Sequence, residues 1–448
     1  MSFREITLYR GYSDFIHLLI FITLDICNVN LLRNTKKEVI SLANIVEMAP
    51  VTRVEGHSKL VLETNDDGIV EKGNYFSITP IRNFEKFLIG KPMEFAPLAT
   101  SRICGICPIT HACASVEAVE DSIGVEPPED GMLLRELCAL ANKMHSHPLH
   151  SILIFPDFGI GVGFDKNVYA EAMKRCQGMR KVAQNIIDVV GGEGLHAPDI
   201  VIGGMQHNIS DLAKAKLQTS LRTYEQLANE HTDFMMGLFK DSEYPSDMGM
   251  HDYNVFASDL TYGDRTAFPW DTFNEEEPNN WYSSIEVGLE ANNTICLVGG
   301  EPVEVGPRAR AATFKGFAER GAMGIQKARI RELATLVHRA ENILDELNTS
   351  GTTKENCAGL GDNELGIGIN EAARGANVHM ARVKEGRIRY YNCLVPTTWN
   401  YPTISKALEG DHYKFAEVIV RAYDPCNSCA THMIVLDPEK AIIQNKMI

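Results

Sequence analysis

The stretch SRICGICPITH, Ser101–His111, carries Cys104 and Cys107 in a C-x-x-C arrangement, with Arg102 ahead of them and His111 four residues behind. Near the other end of the chain stands AYDPCNSCATHM, Ala422–Met433, where Cys426 and Cys429 repeat the spacing and His432 follows three residues later. Two such pairs offer four thiolates, enough to close a tetrahedral or square-planar metal site. If they form one site, segments about 320 residues apart must meet, so the site staples two lobes rather than a small ribbon.

Three chemistries compete for these thiols. Structural zinc held by all four cysteines leads on spacing alone, although its usual pair separation is about 15–20 residues. An iron–sulfur cluster takes the same ligand count. A redox dithiol at CGIC needs a small βαβ setting and leaves the second pair unexplained.

Composition narrows the class. The chain has 448 residues, 44% hydrophobic and 23% charged, which suits a globular protein with a large core. Its formal net charge of −16, without any basic run, excludes a nucleic-acid surface. Eleven cysteines, an odd number, with C-x-x-C spacing favour metal or redox use in the cytoplasm over disulfides. The apolar run FIHLLIFITLDIC, Phe15–Cys27, is interrupted by His17 and Asp25 and falls short of the roughly 20 residues of a membrane span. Residues 1–47 therefore read as an N-terminal extension: either an added helix, or a segment outside the native protein if translation starts near Val39.

HSKLVLETNDDGIVEKGNYFSI, His57–Ile78, reads as a β-hairpin turning at Gly68. PITHACASVEAVEDSIG, Pro108–Gly124, reads as a helix with proline in its first turn and glycine at its end. Long amphipathic runs follow at 131–155, 167–192, 210–240 and 325–347, with Leu133, Leu134, Leu137 and Leu140 forming one apolar face, and Ser210 as an N-cap ahead of Leu217, Leu221, Tyr224 and Leu227. Residues 241–320 are irregular. The expected fold class is α+β, mainly helical, with a core of about four long helices and smaller mixed α/β lobes at both ends. Gly159–Gly163 and Gly359–Gly368 are glycine-rich without dinucleotide or Walker spacing, and read as turn glycines.

The residues around the cysteines say more. RICGICPITH and DPCNSCATH together resemble the two signatures of the nickel–iron hydrogenase large subunit, R-x-C-G-x-C-x-x-x-H and D-P-C-x-x-C-x-x-H. RVEGH (Arg53–His57), HAPDIVIGG (His196–Gly204), EAARGANVH (Glu371–His379) and VPTTWN (Val395–Asn400) are similar to further stretches of that family, in order along the chain. The resemblance implies a large-subunit domain over residues 48–432. It implies nickel bound by Cys104, Cys107, Cys426 and Cys429, with Cys107 and Cys429 bridging to an iron that carries cyanide and carbon monoxide. The activity implied is reversible heterolytic cleavage of dihydrogen.

The same resemblance assigns roles. Glu55 takes the proton, Arg374 overlooks the open metal position, and Asp424 and His111 support the ligands from close by. Taken alone, Glu55 reads as a solvated strand-end carboxylate, Arg374 as a helix-surface ion-pair residue and His111 as a structural histidine. Ala373 stands where relatives often have proline, so the canopy above the metals differs in shape. Glu85, in RNFEKF, and His432 match a magnesium or second iron site. Met433–Ile448 matches a maturation tail that a specific protease removes after His432 once nickel-insertion proteins have loaded the site.

Dihydrogen cleavage releases two electrons. The other seven cysteines (Cys27, Cys113, Cys138, Cys176, Cys296, Cys357 and Cys393) are scattered and read mostly as small buried hydrophobes. The resemblance thus places iron–sulfur clusters in a small (gamma) subunit. The stretches at 55–91 and 102–124 look most like the branch that reduces the deazaflavin coenzyme F-420, in which an FAD-bearing beta subunit binds the acceptor. Relatives pass electrons to heterodisulfide reductase or nicotinamide instead. A metal-free scaffold like the homologous subunit of respiratory complex I, or a zinc-stapled one, is the non-enzymatic alternative. The implied location is cytoplasmic, peripheral at the membrane only through the complex.

Overall fold

The hairpin forms as its alternation predicts. Strand β2, Ser58–Thr64, pairs antiparallel with β3, Val70–Ser77, around a turn in which Gly68 has φ 77°. The computed structural model describes residues 44–159, 166–357 and 361–431. Phe15–Cys27, His432 and the tail Met433–Ile448 lie outside the described residues. A third strand, β1 (Asn44–Met48), pairs with β2 on its other side, so the expected boundary at residue 47 falls within a paired strand.

Two short helices, α1 (Phe84–Leu88) and α2 (Phe95–Thr100), carry the chain to the first cysteine pair. Helix α3, Pro108–Ile123, then starts directly after Cys107 and stops at Gly124, whose φ of 69° provides the left-handed cap. The four long helices follow: α4 (Glu129–Gly159), α5 (Lys166–Gly191), α6 (Asp211–Lys240) and α7 (Gly321–Glu346). α5 packs between α4 and α6, and α7 closes against α4 and α6. The α4 leucines are buried, and Ser210 caps α6 by accepting from Ala213 N at 3.2 Å. In α6, Leu217, Leu221 and Tyr224 are buried while Leu227 is half-buried.

The mixed α/β lobe expected towards the C-terminal end contains a sheet whose individual strands the sequence pattern does not mark. Strands β4 (Asp362–Ala372), β5 (Gly375–Lys384) and β6 (Arg387–Leu394) form an antiparallel meander packed on α3. The reading of its glycines as turn residues is corrected for Gly366 and Gly368, which lie within β4. A Cβ on Gly368 would stand 2.1 Å from the Ala114 carbonyl oxygen, so glycine is what lets helix and strand approach. Helix α8, Pro396–Ala407, packs on β3, and α9, Ala416–Tyr423, packs on α7 and delivers the second cysteine pair. The architecture is the α+β, mainly helical one expected. Among the described residues no helix is long and apolar enough to cross a membrane.

Candidate metal centre

Helix α3 begins at the first cysteine pair and α9 ends at the second. Asp424 caps α9 in the left-handed region, φ 56°, and turns the chain inward. The loop after it brings Cys426 Sγ to 3.3 Å from Cys104 Sγ and Cys429 Sγ to 3.4 Å from Cys107 Sγ, with Cys426 and Cys429 2.7 Å apart. All four sulfurs lie within 4.8 Å of one another, buried and not paired in disulfides. Cys113, Cys138, Cys176, Cys296 and Cys393 are buried elsewhere as read, Cys357 is half-exposed, and Cys27 is outside the described residues.

The second loop is pinned from three directions. Glu55 and Cys426 form a parallel bridge, and Glu55 O accepts from Asn427 N at 3.1 Å and from Asn427 Nδ2 at 2.8 Å. The hydroxyls of Tyr75 and Tyr401 donate to Asn427 Oδ1 at 3.1 and 3.0 Å. Cys426 N donates to Thr397 Oγ1 at 2.8 Å. Gly56, φ 75°, explains the glycine of RVEGH: a Cβ there would lie 2.8 Å from Ser428 N.

The Glu55 carboxylate faces the sulfurs. Its Oε2 accepts from the Cys426 thiol at 3.1 Å and from Ser428 N at 3.0 Å. Arg374 is not on a helix surface; it sits buried in the tight turn between β4 and β5. Its Nε donates to Asp424 O at 2.6 Å, its Nη2 lies 2.9 Å from Asp424 Oδ2 and its Nη1 donates to Ser146 Oγ at 3.2 Å. Burial opposes the guanidinium charge, but Asp424 and the cysteine sulfurs more than offset this and raise its pKa. Burial likewise opposes the Asp424 carboxylate, yet Arg374 and His150 hold it well below the usual range. His150 Nδ1 lies 3.3 Å from Asp424 Oδ1. Sequence reading missed Ser146 and His150; their signal is a pair of polar residues four apart within the apolar face of α4.

His111 lines the same cavity as Cys107, Cys426 and Cys429. Its Nδ1 meets His379 Nε2 at 3.0 Å, and His379 Nδ1 meets the Tyr391 hydroxyl at 2.7 Å, which donates to Ser115 Oγ at 2.7 Å. This buried file fixes the imidazole ring of His111 beside the cavity. Glu85 is buried on α1, whereas its expected companion His432 lies outside the described residues.

The donor set fits a soft divalent cation. Burial, reinforced by neighbouring thiols, pushes Cys426 and Cys429 well above the ordinary thiol range, while hydrogen bonds from Cys104, Cys426 and Cys429 hold Cys107 well below it. Four buried thiolates repel one another in a low-dielectric site, and a cation is what allows all of them to ionise. Four sulfurs converging from two loops are a ready-made cradle for nickel, a metal that thiolates bind strongly.

Comparison with known proteins agrees. Residues 82–153 and 318–432 match the family described as nickel-dependent hydrogenase, and residues 45–79 match one described as HoxL-like. The chain is 46% identical to the coenzyme F420 hydrogenase subunit alpha of Methanothermobacter thermautotrophicus, across 90% of this chain and 98% of that one. It is also 46% identical to the subunit of the same name from Methanocaldococcus jannaschii, across 91% of this chain and 99% of that one. A crystal structure of the Ni-Fe-Se hydrogenase from Desulfomicrobium baculatum superposes with a TM-score of 0.75 at 21% identity, covering 87% of this chain and all of that one, and so shares the fold. With its four cysteines gathered at one buried point and relatives of this identity matched along nearly their whole length, the chain belongs to the nickel-dependent hydrogenase large-subunit family.

Proposed function

We propose that this chain splits dihydrogen at a nickel–iron centre and sends the electrons through partner subunits to coenzyme F-420. The observation that carries the reading is the four-sulfur cluster with a carboxylate oxygen 3.1 Å from one of its sulfurs. Cys104, Cys107, Cys426 and Cys429 would hold the nickel, and Cys107 and Cys429 would share an iron bearing cyanide and carbon monoxide. When bound, this centre would polarise dihydrogen and accept its electrons.

The residues handle the proton and the electrostatics. Glu55 takes the proton from the Cys426 sulfur: the S–H bond breaks as an O–H bond forms, within hydrogen-bond reach. Ser428 N aims the carboxylate by donating to the same oxygen. Arg374, locked by Asp424 and Ser146, presents a fixed cation to the cavity without reorganising. His111 donates or accepts beside Cys107 as its histidine–tyrosine file allows. Glu85 with His432 would hold the second metal, magnesium or iron, and removal of Met433–Ile448 would complete maturation.

The acceptor reading rests on the identity to alpha subunits of coenzyme F420 hydrogenases. A small subunit carrying iron–sulfur clusters and a flavin-bearing beta subunit would complete the path in the cytoplasm. The exposed apolar side chains Phe87, Ile89, Phe95 and Leu98, on and around α1 and α2 just ahead of Cys104, offer such a partner a docking face.

The purified complex is expected to contain nickel and iron and to show infrared bands in the cyanide and carbonyl stretching region. Glu55→Gln is expected to keep the metals and the bands and to lose dihydrogen turnover by at least about a hundredfold. Unchanged turnover in that variant removes Glu55 from the mechanism; zinc alone, without the bands, returns the four cysteines to a structural role.

A further inference from the structure

Thr110, Ala114, Glu117 and Asp121 recur along α3 at steps of four, three and four residues, so they share one face of the helix. That face starts at the cysteine cavity, which Thr110 lines, and it lies against β4 and β5. A Cβ on Gly368 would stand 2.7 Å from Glu117 Cβ, so Glu117 rises directly over β4. Gly368 pairs with His379, and the next pair on the same side of the sheet is Asn370 with Asn377. Asn377 itself lines the cysteine cavity.

This seam is polar and mostly unpaired. Both amide atoms of Asn370 and both of Asn377 have no hydrogen-bond partner among the described residues, and Glu117 Oε1 and the Tyr262 hydroxyl have none but one another. Asn370 is 0%, Asn377 1%, Glu117 9% and Tyr262 9% exposed. Buried polar atoms are seldom left unmet in native proteins, and a row of them calls for ordered water. Tyr262 belongs to the seam because its carbonyl accepts from Glu371 N at 2.5 Å, which holds it on the free edge of β4. At the outer end Asp121 Oδ1 lies 3.3 Å from Arg265 Nη2, with side chains 29% and 43% exposed.

We propose that the seam is a hydrated proton route, leading from the cysteine cavity past Asn377 and Asn370 to Glu117 and reaching solvent at Asp121 and Arg265. It rests on the hydrogenase reading of the site and acts in series with Glu55, carrying outward from the cavity the proton taken from the Cys426 sulfur. The span from Thr110 to Glu117 is seven residues of helix, about 10 Å, or roughly four hydrogen-bonded steps. At Glu117 an O–H bond forms on the carboxylate as one breaks on the arriving water, and the carboxyl then passes its proton to water on the Asp121 side. No electron travels this way; both leave through the partner subunits.

Glu117 is suited to the task and its neighbour is not. Burial pushes the Glu117 carboxyl up to about 7, with the Tyr262 hydroxyl and Arg135 opposing and Glu120 adding to the rise. Both protonation states are therefore populated at neutral pH. Glu120 is tied instead into an ion pair with Arg135, at 2.5 and 2.8 Å, and accepts from Gly203 N at 2.6 Å, which leaves it no freedom to relay.

The test uses the whole complex, with rates expressed per nickel. Glu117→Gln preserves shape and removes the exchangeable carboxyl. It is expected to keep the cyanide and carbonyl bands while isotope exchange between D2 and water, and hydrogen-dependent dye reduction, fall at least tenfold with a raised solvent isotope effect. Asn370→Leu, which removes the amide at similar size, is expected to do the same and covers the case in which Glu117→Gln loads little nickel. Wild-type exchange per nickel in either variant overturns the route. Glu55→Gln measured alongside separates the two readings: retained exchange there, with loss in Glu117→Gln, removes Glu55 and leaves the seam standing.

Discussion

At the scale of single residues, the site is built on charges that tolerate burial only because each has a partner. Asp424 is 3% exposed and depends on Arg374 and His150 for its charge. Arg374→Met would strand that carboxylate, and the expected cost is about 3–5 kcal/mol, read as a lowered unfolding midpoint in urea. Adding Asp424→Leu should recover part of the loss, because it removes the stranded charge; a double variant no more stable than the single one would show that Arg374 acts through packing rather than pairing. The cysteines, Glu55 and Arg374 were legible as residues because their neighbours in sequence form recognisable strings. Ser146, His150, Tyr75 and Tyr401 were not, since a serine, a histidine or a tyrosine in an apolar run looks like any other until its partner is known.

At the scale of elements, the sequence disclosed helices by their caps and periodicity, and it disclosed the N-terminal hairpin by its alternation. The β4–β6 meander escaped notice because its strands are buried on both faces over much of their length, so they lack alternation. Its glycines also mimic a loop. Gly368 gives this element a sharp prediction. Gly368→Ala would force α3 away from β4, since the new Cβ would meet Ala114 O at 2.1 Å and Ala118 N at 2.7 Å. Overpacking of this kind costs about 2–3 kcal/mol. Because α3 starts at Cys107, the variant is expected to lose nickel content as well as melting temperature; full nickel loading would show that the helix N-terminus is held by the loops alone.

At the scale of the molecule, a metal held by the four cysteines would join segments that lie far apart in the chain. Cys104 and Cys426 are 322 residues apart. Nickel-free protein is therefore expected to melt lower than the loaded form, with amide exchange in residues 424–431 at least about tenfold faster. Equal protection in both forms would assign the closure to Glu55, Asn427 and the two tyrosines instead. The helical body carries a pH dependence of its own. Burial holds His145, His147 and His231 neutral, with pKa values near 4 in the fold, against about 6.5 when unfolded. Between those values the unfolded chain binds more protons, so stability falls as pH drops from about 6.5 towards 4. His231→Gln should flatten that slope in melting temperature; an unchanged slope would assign it to other groups.

By itself the sequence determined the two cysteine pairs, their order and the helical frame, because C-x-x-C spacing, helix caps and 3.6-residue periodicity are local properties of a chain. It also carried the family, through short strings that keep their neighbours. Only the tertiary structure decided that the two cysteine pairs close on one point, that Arg374 is a buried turn residue, and that Asn377, Asn370 and Glu117 line one seam. These are facts of approach between distant segments, set by a sheet whose register brings Asn370 opposite Asn377 and whose glycine lets α3 lie against it, and no local pattern encodes them.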